Sequence, residues 1–163
     1  MRAIAAAAGV DPALVTHYFG SKQRLFVEVV QLPLDPALVV EQVREGPRTD
    51  AGRRLAHLVL AVLESPEGRE RVMGLVRSAA SEPEAAALLR QLLETRLVGP
   101  VAAALGADRA ELRATLLGTQ LVGLVMVRYV VGVEPLASAD ADEVAGAIAP
   151  VLQQYLTGPL EPI

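Results

Sequence analysis

Three times along this chain a capping side chain stands immediately before a proline: Asp11-Pro12, Asp35-Pro36 and Ser65-Pro66. Proline is tolerated at the first helical position, because the N–H it lacks has no helical partner there. The Asp or Ser before it can accept from the amides that follow. Each pair therefore predicts a helix start. Ser21 is placed to cap a further helix over about residues 22–30. Asp108 with Glu111, and Asp140 with Glu143, have the spacing of capping boxes.

The apolar period between these starts is helical. Leu55, Leu58, Val59, Val62 and Leu63 form one stripe, and Val72, Leu75 and Val76 a shorter one. Leu88, Leu89, Leu92, Leu93, Leu97 and Val101 form a long one, with a kink expected at Gly99-Pro100. Leu112, Leu116, Leu117 and Leu121 lead into the most apolar stretch. Val144, Ile148, Val151, Leu152, Tyr155 and Leu156 close the chain, with a distortion expected near Pro150. Ala, Leu and Val supply 27, 25 and 22 of the 163 residues, and only five are aromatic. Sheet proteins carry more aromatics and Thr. The fold class is all-α: short helices in a unit spanning 1–31, then a bundle spanning 32–163. The predicted helices of the bundle lie near 36–44, 51–64, 67–80, 83–105, 109–132 and 140–157.

The net charge of −4 excludes a generally basic nucleic-acid coat. Residues 1–30 hold Arg2, Lys22 and Arg24 against Asp11 and Glu28, a net +1, so any DNA contact must be local and N-terminal. The absence of cysteine excludes disulfides and a Cys-based zinc site. Residues 3–8 are apolar but too short for a signal peptide. The most apolar window, 114–133, is broken by Gln120 and Arg128, and reads as a buried interface helix rather than a membrane span. A cytoplasmic protein without a membrane partner is expected.

The stretch Arg2–Lys22 reads as a helix ending at Gly9, a tight turn through Val10 and Asp11, a helix from Pro12 to Tyr18, and the start of a third. Ile4, Val10, Leu14 or Val15, Phe19 and Leu25 would form its small core. Helix–turn–helix with glycine in the turn is a geometry that lays its second helix in the DNA major groove. Thr16, His17, Tyr18 and Lys22 would then face phosphates, and Thr16 can also reach a base edge. Phe19 reads more plainly as core of a small helical domain, while core for Tyr18 and a solvated first-turn lysine for Lys22 stand beside their DNA roles.

At these positions the chain resembles the TetR family of bacterial transcriptional regulators. The family pattern is approximately I-A-x-x-A-G-V-S-x-x-T-L-Y-x-Y-F-x-S-K. Ile4, Ala5, Ala8, Gly9, Val10, His17, Tyr18, Phe19, Ser21 and Lys22 fall on it. The stretch Val133–Ser138 looks like one that follows the eighth helix in an actinobacterial subgroup of that family. The resemblance implies DNA contact by Ala13, Leu14, Thr16, His17, Tyr18 and Lys22. Thr16 stands where many members carry a Tyr that touches the DNA backbone, which shifts that contact to His17 or Tyr18. In the family another helix precedes the segment that begins here, so the resemblance implies a helix-turn-helix whose first helix is missing from this chain. At about 25 cal/mol per Å2 of apolar area, the core left open would cost several kcal/mol, so an upstream segment is expected.

The resemblance also implies a C-terminal domain that dimerises and binds a small-molecule effector. The last two helices would meet their symmetry mates through Leu121, Val125, Val144, Ile148, Leu152 and Tyr155, setting the spacing for a palindromic double-stranded DNA operator. Effector candidates are the polar residues on apolar faces, His57, Arg77, Gln120 and Arg128, with Met73, Met126 and Leu124 as lining. Each has a plainer reading: His57 and Arg77 as surface groups, Gln120 and Arg128 as partners in or across the dimer, the methionines as core. The scarcity of polar groups points to an apolar or amphipathic effector. The expected function is a dimeric, ligand-responsive regulator of the repressor type. The alternative is a dimeric small-molecule-binding protein without a working DNA-binding domain.

Catalysis finds no support. No Ser/His/Asp arrangement, phosphate-cradling glycine loop or HExxH run occurs. The acidic groups Glu67/Glu70 and Asp140/Asp142/Glu143 sit at helix starts, where the helix dipole favours them. His17 and His57, the two histidines, are forty residues apart and make no metal pair. No enzyme, cofactor or metal is expected.

Overall fold

Each cap–proline pair opens a helix. Asp11 accepts from the Ala13 amide at 2.7 Å, Asp35 from Ala37 at 2.9 Å and Ser65 from Gly68 at 3.1 Å. These contacts come from a computed structural model describing residues 1–20, 25 and 35–161. The described residues contain helices and no strand: the protein is all-α. The predicted helix at 22–30 and its cap Ser21 lie outside the described residues.

The chain divides into two compact units, Met1–Gln31 and Leu32–Ile163. In the first, α1 (Arg2–Ala8) ends at Gly9, whose φ of 66° lets its amide turn back to the Ala5 and Ala6 carbonyls. α2 (Pro12–Phe19) follows. These two short helices bury Ala5 and Val15, while Ile4, Val10 and Leu14 remain exposed. Ile4 and Val10 thus depart from the expected core.

The second unit contains α3 (Pro36–Arg44), a single tight turn over Arg48–Asp50, α4 (Ala51–Glu64) and α5 (Pro66–Ala79). α6 (Pro83–Gln91) widens into a π segment, Leu92–Leu97, before α7 (Val98–Ala104). α8 (Ala110–Leu124) widens likewise into Val125–Val131, and α9 (Ala141–Thr157) completes the bundle. Leu55, Leu63, Leu117, Leu152 and Leu156 are fully enclosed. α4 and α9 pack closest at Gly52, where an added Cβ would lie 2.5 Å from the Ala149 oxygen. The Gly52 amide donates to Gln153 Oε1 at 2.7 Å.

Three local expectations are revised. The break at Gly99-Pro100 takes the form of a π segment one turn earlier. Pro100 has no N–H to offer, and the widened backbone brings the Glu94 oxygen so near that a Cβ on residue 99 would sit 1.8 Å from it. Pro150 does not interrupt α9, because it and Gly146, whose carbonyl loses its donor, both face water. Asp108 does not cap α8. Its carboxylate accepts instead from the Arg113 guanidinium, and Arg109 takes a φ of 51°.

Ala110–Val131, 22 residues, is long and apolar enough to cross a membrane by length and composition. In this fold it packs against α7 and α9, with both of its arginines buried and bonded inside the protein. Arg113 donates to the Tyr155 and Gly158 carbonyls at 2.9 Å each, closing the end of α9.

Candidate nucleic-acid interface and bundle cavity

α2 presents its polar side outward. Ala13, Leu14, Thr16, His17 and Tyr18 are all exposed, Tyr18 to 76% and Leu14 to 50%. Thr16 Oγ1 donates to the Pro12 carbonyl at 3.0 Å, leaving its lone pairs to solvent. The His17 ring stands edge-on to Tyr18 at 5.5 Å. Ala13, Thr16 and His17 share one face at helical spacing, and Leu14 with Tyr18 the adjoining one. Lys22 lies outside the described residues. A short helix after a glycine turn, with a hydroxyl, an imidazole and a phenol exposed, can read a groove edge and touch phosphate oxygens.

Within the bundle lies a cavity of about 60 Å3. Leu58, Val59, Val62 and Leu63 of α4 and Val72 and Val76 of α5 form one side. Leu89, Leu92, Leu93 and Leu97 from α6 and its π segment, with Leu121, Val122 and Val125 from α8 and its π segment, form the other. No polar side chain lines it. His57, Met73, Arg77, Gln120, Leu124 and Arg128 are all absent from this wall. Arg77 and Gln120 face water, and Leu124 and Met73 pack into the core. His57 is half exposed, its Nδ1 3.4 Å from Asp142 Oδ1.

Arg128 is placed by a different need. Its guanidinium donates to the Leu136 and Ala139 carbonyls, and to Glu64 Oε1 at 3.4 Å. Tyr129 Oη also donates to Glu64 Oε1, at 2.8 Å, and Arg69 bonds the other carboxylate oxygen at 2.8 Å. The hydrogen bond from Tyr129, followed by those arginines, holds the Glu64 carboxyl below the usual carboxylate range against an opposing effect of burial. Burial, reinforced by Glu64, pushes the Tyr129 phenol up. This cluster clasps the end of α4 to the π segment and the loop before α9. It is an anchor between elements.

The dimer candidates divide. Leu121, Val125, Val144 and Leu152 are interior to the protomer, and the first two line the cavity, so they cannot face a second copy. Ile148 and Tyr155 are half-buried against the same core. The apolar residues left outward are Val127, Val131 and Val151, with Gly123, Ala147 and Pro150 on the same two helices. Leu121 and Val125 are turned to the interior of the protomer.

A helix–turn–helix followed by a helical bundle is an arrangement used by DNA-binding regulators of transcription. Residues 50–156 match the domain described as "Tetracyclin repressor-like, C-terminal domain", and residues 1–29 match "Bacterial regulatory proteins, tetR family". Among solved structures, a TetR-family regulator from Streptomyces coelicolor A3 is similar, with 34% identity and a TM-score of 0.54. The match covers 94% of this chain and 80% of that one. No curated protein sequence matches. The chain belongs to the TetR family, whose members are transcriptional regulators and not enzymes.

Proposed function

We propose that this chain is a dimeric, ligand-responsive repressor in the cytoplasm. It binds a palindromic operator through α2, and a small-molecule effector in the bundle releases it. The exposure of Ala13, Leu14, Thr16, His17 and Tyr18 along one short helix is the observation that carries the DNA reading. Lys22 joins them from the adjoining segment as a phosphate contact. Two such helices related by a two-fold axis read two half-sites one helical turn apart. Val127, Val131 and Val151, on α8's π segment and α9, form the proposed face between protomers, flanked by Ile148 and Tyr155. An effector that favours one separation of the reading helices shifts operator affinity by about 5–150-fold.

The test is fluorescence anisotropy on duplex DNA from the region upstream of the gene, across a salt series. The expected result is preference for a palindrome over its scrambled version, with affinity falling as salt rises. Tyr18→Ala weakens binding at every salt concentration. Lys22→Ala removes two phosphate contacts from the dimer, so it weakens binding and lowers the salt slope by about 1.8. Equal binding of palindrome and scramble by the wild type refutes the operator reading.

A further inference from the structure

The cavity wall consists of leucine and valine alone, and the helical backbone behind it is already hydrogen-bonded. An ion placed there loses its water and gains no partner. Water, which needs two or more polar partners to stay, finds none in this wall. Two observations mark it as more than a packing fault. Both π segments of the described residues supply its wall, Leu92, Leu93 and Leu97 from one and Val125 from the other. Such segments interrupt the regular ladder at a cost and recur at functional sites.

Two larger grooves share wall residues with the cavity. Leu58 and Val62 border both it and a groove of about 550 Å3 against α3. Leu89, Leu93 and Val122 border both it and one of about 500 Å3 between α6 and α8. The rims are polar and mixed in sign: Asp35 and Glu67 with Arg71 on the first, Glu94 with Arg90 on the second. The second rim is balanced and favours neither an anion nor a cation, and the first, with one acid in excess, disfavours an anion. Thr115 and Thr119, on the second rim, donate to backbone carbonyls and keep lone pairs free to accept from a hydroxyl.

We propose that the ligand of this site is an uncharged molecule with an aliphatic chain, the chain lying in the Leu/Val cavity and its polar group at a groove rim. The inference rests on reading the cavity as the effector site. A rigid or charged ligand has no place in a space of about 60 Å3 without polar atoms, whereas a flexible aliphatic chain can adapt to it.

Leucine and valine methyl NMR of the whole chain tests this, with titrations of 1-heptanol, heptanoate and heptylammonium, and operator binding followed by anisotropy in parallel. The alcohol is expected to shift the Val76, Leu93 and Val122 methyls and to bind at least about tenfold tighter than either ion. Val122→Phe, which fills the cavity, is expected to abolish the shifts. Val76→Ile, a gentler filling, is expected to weaken them with the melting temperature preserved. Equal binding of an ion, shifts confined to other methyls, or no binding of the alcohol overturns the proposal. Alcohol binding at these methyls without DNA release leaves the ligand class standing and removes the induction reading. Release of DNA by a charged ligand alone does the reverse.

Discussion

Replacing Arg113 by methionine keeps the apolar stem and removes a guanidinium that is 2% exposed. Its Nε donates to the Asp108 carbonyl at 2.7 Å and to Asp108 Oδ1 at 3.1 Å. Its two terminal nitrogens hold the Tyr155 and Gly158 carbonyls at 2.9 Å. The Asp108 carboxylate is mostly exposed and returns to water, so that pair contributes little, about 0–1 kcal/mol. The two carbonyls at the end of α9 are part-buried, and each orphaned acceptor costs about 1–3 kcal/mol. Arg113→Met is therefore expected to destabilise the fold by about 3–5 kcal/mol, a large fraction of a domain's usual margin. Urea unfolding followed by far-UV circular dichroism at fixed protomer concentration measures it. At a typical slope for urea, the midpoint falls by roughly 2 M. Arg77→Ala, on an exposed face, serves as the control and is expected to stay within about 0.5 kcal/mol of wild type. A midpoint for Arg113→Met as close to wild type as the control's would refute the clamp.

Glu64 supplies a pH signature. A carboxyl held below its ordinary range adds stability that is present above the unfolded-state pKa and lost as pH falls through the folded one. The stability gap between wild type and Glu64→Gln is therefore expected to narrow as pH falls below the ordinary glutamate value. Urea midpoints across the acid range read this, and a gap that widens on acidification contradicts the assigned partners. Val127→Glu with Val151→Glu puts charge on the proposed dimer face without touching the core. Sedimentation velocity is expected to show a wild-type dimer and a folded monomeric variant, and a variant that still dimerises moves the interface elsewhere.

The helix starts were readable because a cap and the proline behind it act over two or three residues. Asp11, Asp35 and Ser65 bond as their spacing demands, and α4 runs Ala51–Glu64 as its stripe predicts. Arg113 left no such trace, since its carbonyl partners at Tyr155 and Gly158 are more than forty positions away. Arg128 did stand out, as a charge on an apolar face. That pattern is shared by ligand anchors and by anchors between elements, and only the fold brings Glu64 and the Leu136 and Ala139 carbonyls to it.

The cavity did leave a trace, in the length of the apolar repeat. Leu89, Leu93, Leu97 and Val101 recur every four residues, and so do Leu117, Leu121, Val125 and Tyr129. An α-helix turns once in 3.6 residues, so a repeat of four drifts by about 40° at each step and by about 120° over three. Left uncorrected, either stripe would wind off the core. An i→i+5 turn takes up the lag, and a π segment occurs within each stripe, at Leu92–Leu97 and Val125–Val131. Leu97, Val101, Leu121 and Val125 are buried, and both π segments contribute to the wall of the same apolar cavity. The repeat that holds α6 and α8 to the core thus also brings together the two irregular segments around the proposed site. Polar residues on apolar faces, by contrast, led to the clasp at Glu64 and to the surface.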